Sequence, residues 1–184
     1  TGSGQYAVAD KTGQQACGGA GVYCSNGVKY TVDSGFYSTP TSVDATLRTG
    51  QTLCEAGFKC SGGVKSACAI DEACPPGSTG ATECDATSYT TAAQQGACVL
   101  CAAGHHLVKD GSTSAGTCTE CGAGTFSPVA TAACLACGAG SFSASAGSSA
   151  CTAAQSGYYA VADKTGELPC GGAGVYCSNG VKYT

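Results

Sequence analysis

The residues able to do chemistry are the cysteines, 16 of them in 184 positions. Cys98 and Cys101, Cys118 and Cys121, and Cys134 and Cys137 form three CxxC pairs. The first two pairs are spaced like a zinc ribbon, so two chemistries compete: thiolate ligation of a metal, or oxidation to disulfides. A four-thiolate site needs two pairs to converge. Here a third pair follows, and the single residues Cys84 and Cys151 flank the series, which leaves a metal scheme uneven. A disulfide ladder uses every residue: Cys84 with Cys98, Cys101 with Cys118, Cys121 with Cys134, and Cys137 with Cys151. Each link closes a loop of roughly 12 to 16 residues and is worth about 3 kcal/mol as lost chain entropy. Upstream, Cys17 and Cys24 precede a group whose pairing the spacing leaves open. Cys54, Cys60, Cys68 and Cys74 can pair in sequence, or cross as Cys54 with Cys68 and Cys60 with Cys74. Cys170 and Cys177 close the series. No metal and no other cofactor is expected.

Little else offers reactive chemistry. His105 and His106 are the only histidines, on a turn after Cys101, and neighbours on an extended segment point to opposite faces. They read as an exposed pair rather than as ligands of one metal. Asp71 and Glu72 form an acidic doublet without further ligand oxygens nearby in sequence, a solvated turn rather than a calcium site. No GxSxG, HExxH or phosphate loop occurs. Nothing places Ser, His and Asp together, and no catalytic role is expected.

The elements that position the cysteines must work without a conventional core. Leu, Ile, Val and Phe make up only about one residue in eight, below the fifth at which apolar burial normally offsets ordering entropy. Apolar residues never recur at helical spacing over a dozen positions, and 29 glycines penalise helix further. The expected fold is small and disulfide-rich, a linear rod of irregular β-hairpin modules with little helix. The 28 residues 4–31 return at 157–184 with an offset of 153 residues, so that Tyr6, Cys17, Cys24 and Tyr30 map to Tyr159, Cys170, Cys177 and Tyr183. The chain reads as one long repeat plus the opening of the next: 1–31 begins a repeat, 32–83 holds front cysteine-rich modules, 84–153 carries the CxxC ladder, and 154–184 begins the following repeat. Smaller units lie inside, in Cys121-Gly-Ala-Gly-Thr-Phe-Ser and Cys137-Gly-Ala-Gly-Ser-Phe-Ser, with echoes at Ser34-Gly-Phe-Tyr-Ser and Ser156-Gly-Tyr-Tyr. Glycine after the cysteine suits a tight turn, and the aromatic residue can cover the cross-link.

The run from Cys98 to Cys151 resembles the ephrin receptor-like cysteine-rich repeat, related in style to the stapled hairpins of tumour necrosis factor receptor ectodomains. Its serial CxxC units with small spacers also resemble surface proteins of protists and algae. The resemblance covers residues 84–153 well and 17–80 loosely, and implies an extracellular rod. The long period and sparse charge favour a repetitive fibre over ligand recognition. The expectation is therefore a secreted structural protein at the cell surface, self-associating as a filament, flagellar hair or coat. The alternative is the stalk of a receptor or adhesion protein that binds a protein partner.

Charge and hydropathy narrow the partners. With 8 basic and 12 acidic residues and a net charge of −4, no patch tracks a phosphate backbone, and nucleic acid is not expected. The longest apolar runs fall far short of the roughly 20 residues of a bilayer span, so this segment does not insert in a membrane. Thr1, without a charged and apolar leader, reads as the start of a mature or internal piece. Asn26 and Asn179 precede Gly-Val and make no N-glycan acceptor. Ser and Thr supply about a fifth of the chain, clustered around residues 38–42, 87–91, 112–119 and 141–149. Such stretches suit covalent O-linked glycans, first at Ser38, Thr39, Thr41, Thr90, Thr91 and Ser127, with Pro40 and Pro128 as positions for sugar on modified proline.

Overall fold

A computed structural model describes residues 4–111, 115–129 and 133–184. Among them the chain forms eleven two-stranded antiparallel sheets, each a hairpin, and a single 3-10 turn at Ala45–Leu47. This is the small, disulfide-rich hairpin chain with almost no helix that the composition dictates. An isolated two-stranded hairpin is marginal in water, so each must be held by something outside its own ladder.

The chain divides into two compact units. The first comprises residues 4–83 and 90–98. Its hairpins are Gln5–Ala7 with Gln14–Ala16, Val22–Ser25 with Val28–Thr31, Phe36–Thr39 with Gly50–Leu53, Phe58–Ser61 with Val64–Ala67, and Glu72–Ala73 with Thr82–Glu83. The second comprises 84–89 and 99–184. It holds Ser88–Tyr89 with Val99–Leu100, His105–Lys109 with Gly116–Glu120, Thr125–Phe126 with Leu135–Ala136, Ser141–Phe142 with Thr152–Ala153, Tyr158–Ala160 with Glu167–Pro169, and Tyr176–Ser178 with Val181–Tyr183.

One hydrogen bond recurs from hairpin to hairpin. In eight of the hairpins the third residue after the opening turn donates its amide to a carbonyl in the loop of the next hairpin. Ala7 donates to Gly27, Cys24 to Arg48, Ser38 to Gly63, Cys60 to Ser78, Cys74 to Gln95, Ser127 to Ser148, Ser143 to Lys164 and Ala160 to Gly180, all at 2.8–3.1 Å. The side chain at that position is compact, and it is buried in most hairpins though exposed at Ala7. Cys24, Ser38, Cys60, Cys74, Thr90, Leu107, Ser127 and Ser143 occupy it with 5% exposure or less. A second set of bonds closes each hairpin's base: the opening glycine's carbonyl accepts the amide that follows the return strand, as in Cys54 to Gly35, Cys68 to Gly57, Cys121 to Gly104 and Cys137 to Gly124.

Backbones also meet two hairpins apart. Gly124, with φ of 82°, lies so close to the carbonyl of Asp163 that a Cβ would strike it. Only glycine meets both demands, a left-handed turn and a bare flank. The interior of these units is sulfur and backbone: of the thirteen buried hydrophobic residues described, ten are cysteines, the others being Tyr37, Ala73 and Leu107. Leu53, Val64, Leu100 and Val129 are meanwhile 45–58% exposed.

Loops are fixed by local polar bonds. Asp85 accepts from the Thr87 amide at 2.8 Å, the Ser88 hydroxyl at 2.8 Å and the Thr87 hydroxyl at 2.9 Å, which hold its carboxyl down at about 2. Asp10 and Asp163 are lowered the same way by the hydroxyl and amide of Thr12 and Thr165, and Asp44 by the amide and hydroxyl of Thr46. The repeated tyrosines stack within their own hairpins, Tyr23 on Tyr30 at 5.2 Å and Tyr176 on Tyr183 at 5.0 Å between ring centroids.

Two outcomes test this construction. Gly124→Ala should destabilise the oxidised chain by on the order of 2–4 kcal/mol from φ strain and overpacking. Gly122→Ala, where an added Cβ meets nothing within 4 Å, should stay within about 0.5 kcal/mol in the same denaturant titration. Because the aspartates are lowered in the folded state, their contribution is complete above the unfolded value near pH 4 and is lost as pH falls towards about 2. The thermal midpoint should therefore hold steady between pH 7 and 5 and drop below pH 4, with a shallower acid drop in Asp85→Asn.

Candidate functional site

The cysteines are the chemical feature of the chain, and all sixteen are oxidised. Cys101 is bonded to Cys118, Cys121 to Cys134 and Cys137 to Cys151, across sequence separations of 17, 13 and 14 residues. The two cysteines of the Cys118/Cys121 and Cys134/Cys137 pairs thus serve different links. Cys84 and Cys98 are disulfide-bonded as well. In the front half the open choice falls to sequential pairing: Cys17 with Cys24, Cys54 with Cys60 and Cys68 with Cys74, followed by Cys170 with Cys177. The crossed alternative does not occur.

These short links, spanning 6 or 7 residues, follow from the fold rule. Each places its second cysteine at the third position of a hairpin and ties it back to the residue that closes the preceding base. Where the third residue is Ser127 or Ser143, the cysteines instead bridge the base of the hairpin itself. Loops of that size contribute about 2 kcal/mol against about 3 for the longer links.

Three side-chain groupings have the makings of a site. His106, Cys121 and Cys134 bring their ligand atoms within 4.8 Å of one another, with His106 Nδ1 3.1 Å from Cys134 Sγ. Cys121 and Cys134 are bonded to each other, however, and disulfide sulfur carries no thiolate charge for a metal. In the oxidised chain the imidazole packs against the link. The two histidines lie half-buried on the strand His105–Lys109 rather than on an exposed turn, because His105 and His106 pair with Glu120 and Thr119 of the returning strand. His105 turns to the carbonyl of Ala103 at 3.3 Å, so the two rings serve different neighbours.

A second grouping surrounds Lys65. Its Nζ lies 2.7 Å from Glu55, 4.0 Å from the Phe58 ring centroid and 5.2 Å from that of Tyr37. Lys65 holds the Glu55 carboxyl below its ordinary range, while burial and the bond to Glu55 raise the Tyr37 hydroxyl. Beside it, Arg48 donates from Nη1 to the Ser38 carbonyl at 2.7 Å. The adjoining cleft, lined by Ala20, Ser38, Gly63 and Arg48 among others, measures about 190 Å³, below the roughly 300–1,000 Å³ of small-molecule sites. It is the seam between successive hairpins.

The third is the acidic doublet. The Asp71 amide donates to the Thr90 hydroxyl at 2.7 Å, and Glu72 pairs with Lys59 at 3.3 Å while accepting the Ala69 amide. Both residues hold loops in place.

The hydroxyl positions divide sharply. Ser38, Thr90 and Ser127 are buried at 1% exposure or less, each at the third position of its hairpin. There is no room for a sugar, and the expectation of glycans at these three is corrected. Thr41, Thr91, Pro40 and Pro128 are exposed and Thr39 is half-buried. The cluster at 112–119 lies partly outside the described residues. Sequence reasoning missed the packing role of these hydroxyls, although Gly-x-Phe-Ser in two modules and Gly-Phe-Tyr-Ser at residues 35–38, aligned with Gly-Phe-Lys-Cys at residues 57–60, carried the signal.

No family model matches the chain, and no curated protein matches it. Among the described residues no helix is long and apolar enough to cross a membrane.

Thiol titration of the native chain should detect no reactive thiol, and zinc added with a chromophoric competitor should remain with the competitor until the disulfides are reduced. Ser38→Leu, which overfills the third position, should cost about 1–3 kcal/mol, whereas Ser38→Ala should cost about 1 kcal/mol or less.

Proposed function

We propose that this chain is a structural element of an extracellular filament, flagellar hair or surface coat, built as a tandem array and without a catalytic role. The disulfide-rich hairpin modules in tandem already mark a repeat-type protein of an oxidising, extracellular setting. The observation that carries the finer reading is the sequential contact itself. Within each unit, hairpin after hairpin gives an amide to its successor, eight times among the described residues. Such a head-to-tail contact does not close on itself and so propagates along a line. The return of residues 4–31 at 157–184 supplies the period on which such an array repeats. Exposed Thr41, Thr91, Pro40 and Pro128 are the remaining glycan positions on this reading, where sugar would shield a structure that has little core.

Electron microscopy of the native material, with intact mass before and after reduction, tests the proposal. The expected result is filaments with a regular axial repeat and mass in excess of the polypeptide. Monodisperse particles of bare polypeptide mass would overturn it and favour a receptor stalk.

A further inference from the structure

The two copies of the 28-residue segment have nearly the same sequence but different surroundings, and the differences are complementary. In the first copy the downstream side is covered. The Cys17 and Cys24 amides donate to Thr46 and Arg48 at 2.9 Å, a Cβ on Gly63 would strike the Ala20 carbonyl, and one on Gly4 would strike Leu47. Cys17 and Cys24 are 0% and 2% exposed. In the second copy the same side is open. Cys170 and Cys177 are only half-buried, Tyr176 is 61% exposed where Tyr23 is half-buried, and a Cβ on Gly157 or Gly174 would meet nothing within 4 Å. A polar cleft of about 270 Å³ lies there, lined by Gly157, Tyr158, Cys177 and Asn179 among others.

The upstream side shows the reverse. In the second copy Lys164 accepts the Ser143 amide at 2.9 Å, and Asn179 and Gly180 lie against Gly140. Lys164 and Val181 are half-buried and Gly180 is buried, whereas the matching Lys11 and Val28 of the first copy are exposed. Each copy therefore displays the half of the environment that the other lacks.

We propose that the 28-residue segment is a two-faced joint, and that the open face of residues 157–184 receives a hairpin module with the sequence of residues 32–63. Its occupant is defined by this chain: the Phe36–Thr39 and Gly50–Leu53 hairpin, with the Asp44 to Arg48 turn delivering the Thr46 and Arg48 carbonyls to Cys170 and Cys177, and Leu47 filling the cleft at Gly157. The inference deepens the array reading, and rests on it in taking the occupant as a further copy of the repeat.

The test is an extended chain carrying a second copy of residues 32–83 after Thr184, compared with the parent by hydrogen exchange at peptide resolution. Peptides over residues 170–178 should slow at least tenfold, to the rate of 17–25 in the same molecule. Unchanged exchange, with the added disulfides shown to have formed by mass, would overturn the proposal, as would protection that appears only in a dimer. Gly63→Val in the original position gives an independent arm. It should raise exchange at residues 17–25 to the parental rate of 170–178, and a rate left at the parental value would also overturn the proposal. Absence of filaments from native material would sink the array reading without touching either exchange result.

Discussion

The structure depends on one hydrogen bond repeated along the chain, from the third residue of a hairpin to the loop carbonyl of its successor. Individually such a bond contributes about 1 kcal/mol. Its weight lies in what it demands: two backbones must come within hydrogen-bond distance on the flank of a hairpin. That distance favours compact side chains and explains why Ser38, Ser127 and Ser143 are among the most buried residues of a protein whose leucines and valines, Leu107 apart, are largely outside. Glycine at the opening turn, a small residue three positions on and sparse apolar content are three consequences of the same close approach.

Disulfides then do what a hydrophobic core does elsewhere. A half-cystine at the third position both fills the flank and anchors the hairpin to its predecessor, as Cys24, Cys60 and Cys74 do. In the hairpins of Ser127 and Ser143 the link instead lies within the hairpin, Cys121 with Cys134 and Cys137 with Cys151. The short and long links are two solutions to one packing problem. Polar groups such as the Asp85 loop and the Lys65 cluster fix loops around this frame, and the cleft at Lys65 measures only about 190 Å³.

Much of this was legible in the residues. The regular alternation of CxxC pairs pointed to the later links, since a ladder of neighbouring pairs is the regular way to join them, and the glycine content with absent helical periodicity pointed to short hairpins. The links among Cys54, Cys60, Cys68 and Cys74 were not legible, because sequential and crossed pairings both close feasible loops and the choice is made by the third-position rule, a tertiary contact. The same rule defeated the reading of Ser38 and Ser127 as sugar acceptors, and Thr90 is buried against the Asp71 amide: a hydroxyl in a Ser/Thr-rich stretch looks solvated until the fold covers it. The pair His105 and His106 looked like a turn because the strand that holds them, Gly116–Glu120, lies beyond an intervening loop. Nor does local composition reveal that residues 90–98 pack with the first unit while 84–89 belong to the second.

The most direct measurement is site-resolved amide exchange on the intact, oxidised chain, comparing the third-position donors Ser38, Cys60, Ser127 and Ser143 with amides in exposed loops. The account predicts that these four exchange only through opening of the unit, as slowly as any amide in it, although none bonds across its own hairpin. Exchange at the rate of a solvated loop would show that successive hairpins are not joined by this bond, and the central claim would fail.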